Sequence, residues 1–348
     1  MSAVNPPRVT LCVPTYQCQA TLARTLETLR RQTYAPLEIL IVDNASSDRT
    51  VEIARRFCAE DARFRLVTGD VNVGAEGNFR RCVEIATGDL VGIFHADDLY
   101  DADIVDKQVR YLTQHPQSAA VFTEAFLVDA DDRRFGDRRT PASLTGTQEG
   151  ETHGFWPVFR AVLRHHNFLM TPSVLVRRDV YKRLRLFDSS RFRSSADLDV
   201  WLQILSEAPV GILRERLLGY RISPDQSSAV LIRERTDRAD FFKVLDFWMA
   251  DPEIARHLTP QDRRNYGWLD KADRLARAMA AAERGATAEV KPLLESLFTP
   301  AEFVRAIFQR PRAAVCAVLS VLMRARLRLG LHPSRSVLAD RLRRMARI

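Results

Sequence analysis

Cysteine is sparse and unpaired in this 348-residue chain: five residues, at 12, 18, 58, 82 and 316, with no C-x-x-C pair. That spacing argues against a cysteine zinc site and a disulfide framework, and it suits a reducing compartment. Met1-Ser2-Ala3-Val4-Asn5-Pro6-Pro7 lacks the apolar centre of a signal peptide, so a cytoplasmic location is expected. Internal repeats and low-complexity tracts are absent. No G-x-G-x-x-G follows the first apolar run. Gly69 and Gly74 have the outer spacing of a P-loop, but Ala75 and Glu76 stand where Lys and Ser or Thr are needed. Both absences weigh against a dehydrogenase or a P-loop NTPase. With 46% hydrophobic residues, the chain is globular and long enough for a catalytic domain plus a smaller one.

What is present is a series of apolar, β-rich runs that end in polar residues. Val9 to Val13 run into Pro14, Thr15 and Tyr16. Leu37-Glu38-Ile39-Leu40-Ile41-Val42 runs into Asp43-Asn44-Ala45-Ser46-Ser47-Asp48. Leu90-Val91-Gly92-Ile93-Phe94, entered from Gly88-Asp89, runs into His95-Ala96-Asp97-Asp98. Between them Leu22, Leu26 and Leu29, then Val51, Ala54 and Phe57, recur at helical spacing. The alternation predicts a parallel α/β sheet wound through right-handed crossovers. Ligands of such sheets bind beyond the carboxyl ends of the strands, where all three polar ends fall. Packing gives no reason for paired acids at a buried strand end. A divalent ion does, because Mg²⁺ and Mn²⁺ are held by carboxylate and phosphate oxygens. The plain alternative is that Asp98 N-caps a helix over residues 102–112.

Five segments in order, VPTYQCQATLARTLETLRRQTY, LEILIVDNASSDRTVEIA, NVGAEGNFRRCVEIATGD, LVGIFHADDLY and SADLDVWLQIL, carry a resemblance. Over residues 8–230 the chain resembles a family 2 glycosyltransferase. The resemblance implies an α/β fold of GT-A type: a Rossmann-type, mostly parallel sheet flanked by helices, here with a C-terminal helical region. It implies inverting sugar transfer from a nucleoside-diphosphate sugar, UDP- or dTDP-type, helped by Mg²⁺ or Mn²⁺. The acceptor would be a hydroxyl of a glycan or lipid-linked molecule, in cell-envelope polysaccharide synthesis. By the same resemblance Pro14, Thr15 and Tyr16 line the base and ribose pocket, and Asp43 accepts the imide N–H of uracil or thymine. Asp48, Asn78 and His95 lie near the nucleotide, Asp97 with Asp98 binds the metal, and Asp197 is the general base. These residue types fit the chemistry. A diphosphate leaving group needs its charge neutralised, and an acceptor hydroxyl needs one carboxylate to take its proton. A single displacement needs no second, nucleophilic carboxylate.

The sequence departs from the family pattern in places. His95 stands where an Asp is common, and its ring either approaches ribose or metal or merely packs. Ala196 precedes Asp197 where a second acid is frequent, and Asp199 is expected on another part of the surface. Ser223 stands where His is often found, which leaves a third protein ligand to the metal in doubt. Asp48 either touches the nucleotide or caps the following helix, and Asn72-Val73-Gly74 reads equally well as a turn. Trp201, Leu202 and Leu205 are expected in the core. His165 and His166 face the acceptor or are inert.

Three parts are expected: a catalytic domain over residues 1–230, a helical extension over 231–300 and a basic tail over 301–348. Residues 133–154, with five glycine and proline breaks, read as a polar, mobile loop on the acceptor side. The tail has no lysine, eleven arginines and two acids, a charge of +9 in a chain that totals +8. The first 300 residues therefore sum to −1. Residues 313–323 are apolar apart from Ser320, well short of the ~20 residues that cross a bilayer. Flanked by arginines, the segment either lies on an anionic membrane surface or forms a buried helix with a solvated basic face. The rival function is a catalytically inactive protein that binds nucleotide or nucleic acid through its basic tail. The acids at 43, 97 and 197 argue against it, and no nucleic-acid partner is expected.

Overall fold

The computed structural model describes residues 5–144, 151–222, 235–309 and 311–329, and divides into two compact units, Met1–Ser223 and Pro224–Ile348. Gly146, Gly150, Ser223 and the last five arginines of the tail lie outside the described residues.

The first unit alternates strand and helix as its apolar periodicity requires. Its elements are β1 (Val9–Thr15), α1 (Leu22–Arg30), β2 (Leu37–Asp43), α2 (Thr50–Glu60), β3 (Phe64–Thr68), α3 (Ala75–Ile85) and β4 (Leu90–Ile93). Then come β5 (Leu99–Tyr100), α4 (Ile104–Gln114), β6 (Ala120–Val128), β7 (Arg134–Arg138), β8 (Glu151–His153), α5 (Phe155–His165) and β9 (Leu175–Arg177). Short helices α6 (Arg178–Tyr181) and α7 (Ser189–Phe192) lead to α8 (Ala196–Glu207) and β10 (Val210–Arg221). The strands form one sheet in the order β3-β2-β1-β4-β9-β6-β10-β5, with β7 added on β6 and β8 on β10. β3, β2, β1 and β4 are parallel, as are β6 and β10, while β9 enters antiparallel between β4 and β6.

The first strands are apolar on both faces because helices cover both. Leu22, Leu26 and Leu29 of α1 are fully buried against the sheet, each burial contributing about 1.5–3 kcal/mol. Trp201, Leu202 and Leu205 are core residues of α8. Asp199 corrects the expectation of a surface acid. It is fully buried, and its Oδ2 accepts from Arg185 Nη2 at 3.2 Å and Gln203 Nε2 at 2.7 Å. Asp98 does not cap a helix either, since α4 begins after Asp103. Residues 133–154 are not simply a loop: β7 pairs antiparallel with β6 and β8 with β10, so two parts of the segment are sheet.

The second unit is helical, with helices Asp240–Ala250, Pro252–His257, Pro260–Glu283, Thr287–Leu294, Pro300–Gln309 and Pro311–Arg328. Proline starts four of them, where its missing N–H costs nothing. Thr259 and Asp262 close a capping box on the longest. The boundary expected at residue 300 is not a domain boundary. Cys316, Leu319 and Met323 share one buried cluster with Leu275, Val290 and Leu294, so the apolar side of the last described helix is spent inside its own unit. No helix among the described residues is long and apolar enough to cross a membrane.

Gly88 sets the approach of β4 to β1. A Cβ there would come 2.6 Å from Thr10 N, 2.8 Å from Arg8 O and 2.9 Å from Leu90 O, all backbone atoms that cannot step aside. Gly88→Ala should cost about 1–3 kcal/mol, read from the urea midpoint. An unchanged midpoint would mean the strands have room that this geometry denies.

Candidate active site

Register puts the polar strand ends together. Thr15 and Asp43 are partners at the carboxyl ends of β1 and β2, and Thr15 Oγ1 donates to Asp43 Oδ1 at 3.0 Å. Ser46 adds its amide to Asp43 Oδ2 at 2.9 Å and its hydroxyl to Oδ1 at 2.6 Å. Asp43 is 1% exposed, and three of the roughly four acceptor positions of its carboxylate are taken. Thr15 is buried with it, whereas the Tyr16 ring is 50% exposed beside the strand end and Pro14 is half-buried. Asp48 is bonded to the backbone at the start of α2. Its two oxygens accept the amides of Gln19 and Thr50 at 3.1 and 3.0 Å, tying the loop to the start of α2. Burial works against its charge, but the Thr50 and Gln19 donors prevail and hold the carboxyl below its ordinary range. Asn78 donates from Nδ2 to Val42 O at 2.9 Å, fixing α3 on β2, while its buried Oδ1 has no hydrogen-bond partner in the protein. Asn72 is a turn residue, accepting from Gly74 N at 2.8 Å and from Asn44 Nδ2 at 2.7 Å.

Beyond β4, His95, Asp97 and Asp98 bring one ligand atom each within 4.8 Å of one another. Asp98 is fully buried, and its Oδ1 accepts the Arg221 amide at 2.8 Å. Its Oδ2 has no hydrogen-bond partner in the protein, nor has His95 Nε2. Desolvation, with the charge of Asp97 added, raises the Asp98 carboxyl well above the ordinary carboxylate range. Desolvation also lowers His95, keeping the imidazole neutral and able to coordinate, while its ring stacks on Phe79 at 5.6 Å between centroids. Two orphaned buried ligand atoms and a surplus of negative charge are what a divalent cation corrects. The donor set fits such an ion.

Sequence reasoning overlooked Arg221. Its Nε donates to Asp97 O at 2.7 Å, and its Nη1 donates to Asp129 O at 2.6 Å and Ala130 O at 3.2 Å. Its Nη2 pairs with the Asp132 carboxylate. An arginine directly after the apolar run Leu217-Leu218-Gly219-Tyr220 was the available signal. Asn44 was also overlooked. It ties the β2 end to the 72–74 turn, its Oδ1 accepting Val73 N at 3.0 Å.

Asp197 stands in the first turn of α8. Thr171 Oγ1 donates to its Oδ2 at 3.0 Å and Leu198 N to its Oδ1 at 2.7 Å. Desolvation raises its pKa, with Glu76 adding to the rise, against these hydrogen bonds and the Arg138 charge. Ionisation of the Tyr220 hydroxyl is opposed by the charges of Asp98, then Asp97 and Asp197, with the Arg138 charge acting the other way. Desolvation and the three acidic charges push the hydroxyl up to about 12. His165 ends α5, and His166 follows it with φ 70°.

Acidic residues gathered at the carboxyl ends of a Rossmann-type sheet, with three potential metal ligands at one of them, are the arrangement of a GT-A glycosyltransferase fold. The profile of glycosyl transferase family 2 matches residues 10–184, and the chain belongs to that family of glycosyltransferases. MJ1057 of Methanocaldococcus jannaschii, named an uncharacterized glycosyltransferase, is 24% identical over 222 residues, 63% of this chain and 72% of its own length. Among solved structures, residues 1–349 of S. aureus TarS with UDP superimpose with a TM-score of 0.54 at 16% identity, covering 98% of this chain and 90% of that one. The mannosyltransferase PcManGT of Pyrobaculum calidifontis, with GDP-Man and Mn²⁺, gives 0.53 at 20% identity, covering 90% and 86%. At these identities the likeness is one of fold.

The Asp98 shift carries a sign. A carboxyl raised in the folded state adds stability that is present below its ordinary pKa and is lost as pH rises through the raised value. In protein stripped of metal by EDTA, Asp98→Asn should therefore raise the melting temperature at pH 8 and change it little at pH 4. Equal effects at both pH values would show that Asp98 ionises without penalty.

Proposed function

We propose that this chain is an inverting glycosyltransferase that moves a sugar from a UDP- or dTDP-type donor to a hydroxyl of a glycan or lipid-linked acceptor, in assembly of a cell-envelope polysaccharide. The observation that carries the reading is the pairing of a metal-binding group at His95, Asp97 and Asp98 with a separate, singly placed carboxylate, Asp197. One carboxylate suits a single displacement with inversion. Its raised pKa makes it the stronger base, and Thr171 and Leu198 fix the direction in which it accepts the acceptor proton. The one acceptor position left on Asp43 suits the imide N–H of a pyrimidine, with the exposed Tyr16 ring beside it for the base or ribose. His95, Asp97 and Asp98 would hold Mg²⁺ or Mn²⁺. The chemistry such an ion supplies is neutralisation of the departing diphosphate. TarS was solved with UDP and with UDP-GlcNAc, and PcManGT with GDP-Man and Mn²⁺, which supports a nucleotide-sugar donor here.

A panel of nucleotide sugars with Mn²⁺, scored for slow donor hydrolysis and for thermal shift, tests the donor. Asp97→Ala should abolish both transfer and metal-dependent nucleotide binding with the fold intact. Full native activity in EDTA would remove the metal from the scheme. Asp197→Asn should lower kcat by about 10²–10⁴ with donor affinity unchanged. If donor affinity collapses instead while turnover stays normal, Asp197 is a nucleotide ligand and the base lies elsewhere.

Peripheral attachment to the cytoplasmic membrane face would rest mainly on charge, because Cys316, Leu319 and Met323 of the last described helix are internal and only Val321 and Leu329 remain as exposed apolar residues there. Each arginine near an anionic surface is worth about 1 kcal/mol, less in salt. Replacing Arg326 and Arg328 by Gln should weaken co-sedimentation with anionic vesicles at low salt. Equal partitioning would leave these two arginines as a solvated face only.

A further inference from the structure

We propose that Thr25 is a positioning residue for the divalent ion. Its buried hydroxyl, with that of Tyr100, holds the backbone of residues 95–98 so that His95, Asp97 and Asp98 keep their ligand atoms together. This rests on the reading of those three residues as the metal ligands, and it adds what aims them.

Residues 95–98 join β4 to β5 with little structure of their own. The backbone bond inside the segment, from Asp98 N to His95 O, is 3.5 Å long and weak. Side chains from elsewhere take the carbonyls instead. Tyr100 Oη donates to His95 O at 3.2 Å and Arg221 Nε to Asp97 O at 2.7 Å. Thr25 Oγ1 lies 3.0 Å from Ala96 O and 2.8 Å from Asp98 O, and its one proton is shared between them. Each carbonyl from His95 to Asp98 is thus bound by a side chain of α1, β5 or β10. A peptide whose carbonyl is held cannot rotate freely, so the carboxylates beside it keep their direction.

Thr25 is 1% exposed on α1, next to the fully buried Leu26. Valine would fill the same space without the cost of burying a hydroxyl. Packing of α1 therefore does not ask for a hydroxyl here, whereas the acidic segment does. The same side of the helix carries on along that segment. Thr28 Oγ1 accepts the Tyr100 amide at 3.2 Å, and Gln32, just past the helix, donates from Nε2 to Asp101 O at 2.7 Å. Thr25, Thr28 and Gln32, spaced i, i+3 and i+7, make a polar stripe on which residues 96–101 are laid. The support is selective. It binds the backbone, while the buried atoms of the segment left without a protein partner are Asp98 Oδ2 and His95 Nε2, both on ligand side chains.

The test titrates Mn²⁺ into the full chain with UDP present and reads free ion by its EPR signal, against UDP without protein. Thr25→Val keeps the shape and loses the hydroxyl; Thr25→Ser keeps the hydroxyl and loses a methyl. Thr25→Val should weaken Mn²⁺ binding by about 10–100-fold, while Thr25→Ser stays close to native. Thr33→Val removes a hydroxyl bond to Ala102 O at 3.1 Å, beyond the acids, and should change nothing. A packing role predicts the reverse order, with Ser worse than Val. That order, or equal binding by native and Thr25→Val protein, would overturn the inference. So would a loss in Thr33→Val as large as that in Thr25→Val, since any slackening beside α1 would then suffice. Should Thr25→Val fail to fold, Tyr100→Phe decides. It keeps the stack on Phe94, 4.3 Å between centroids, and removes only the donor to His95 O. It should weaken Mn²⁺ binding, and unchanged affinity there would overturn the proposal. A native chain that takes up no Mn²⁺ beyond the UDP control would remove the metal reading itself, a result distinguishable from the others.

Discussion

Arg221 is 5% exposed, and a guanidinium so deep is tolerated only when its donors are matched and its charge is balanced. Here its donors tie the end of β10 to two other strand ends: Nε and the backbone amide reach Asp97 O and the Asp98 carboxylate after β4, and Nη1 reaches Asp129 O and Ala130 O after β6. Asp132 supplies the counter-charge and is itself held by Arg24 of α1 at 2.8 Å. The strands could be parallel and correctly ordered and still present their acids at the wrong heights. The clamp fixes those heights. It also accounts for Asp98, whose one satisfied oxygen is bonded to Arg221 and whose other is left for a ligand.

A second lock operates at the β1 and β2 ends. Gln17 reaches across to the 46–48 loop, donating from Nε2 to Ser47 Oγ at 2.9 Å and accepting the Ser47 and Asp48 amides at 3.2 and 3.1 Å. Together with Thr15 and Ser46 around Asp43, it spends polar groups that might look like ligands on holding a rigid rim. Preorganisation of this kind takes residues out of direct contact with substrate and gives those that remain a fixed aim.

Much of this was legible in the sequence, unevenly. Strand, helix and their order followed from periodicity, because Leu22, Leu26 and Leu29 or Ile39 and Ile41 have one way to be buried. The acids at strand ends stood out since apolar runs offer no other reason for them. What periodicity could not show was pairing over long sequence separation. Asp48 and Asn78 carried the right letters, but their partners, Gln19 and Val42, are known only once the chain is folded. Asp199 looked like a surface acid because Arg185, which pairs with it, lies fourteen residues back beyond α7, although Gln203 is only one turn further along α8. The edge strand β7 was hidden for a related reason: its arginines read as loop, and only the backbone of β6 makes them a strand. The tail left two readings open, an interfacial segment or a buried helix, and only the fold shows that Cys316, Leu319 and Met323 pack on residues 275–294.

The matched family stretch stops at residue 184, but the site does not. Asp43 and the His95, Asp97 and Asp98 group lie inside it, whereas Asp197, Tyr220 and Arg221 lie beyond, on α8 and β10. On the reading proposed above, the donor half and the acceptor half are written in separate stretches of one chain, and the join between them is a single side chain, Arg221. On that reading a chimera that kept residues up to 184 and took the rest from another relative would change the base and the acceptor side together, and would keep the heights of the first strand ends only if the graft returned an arginine where Arg221 stands.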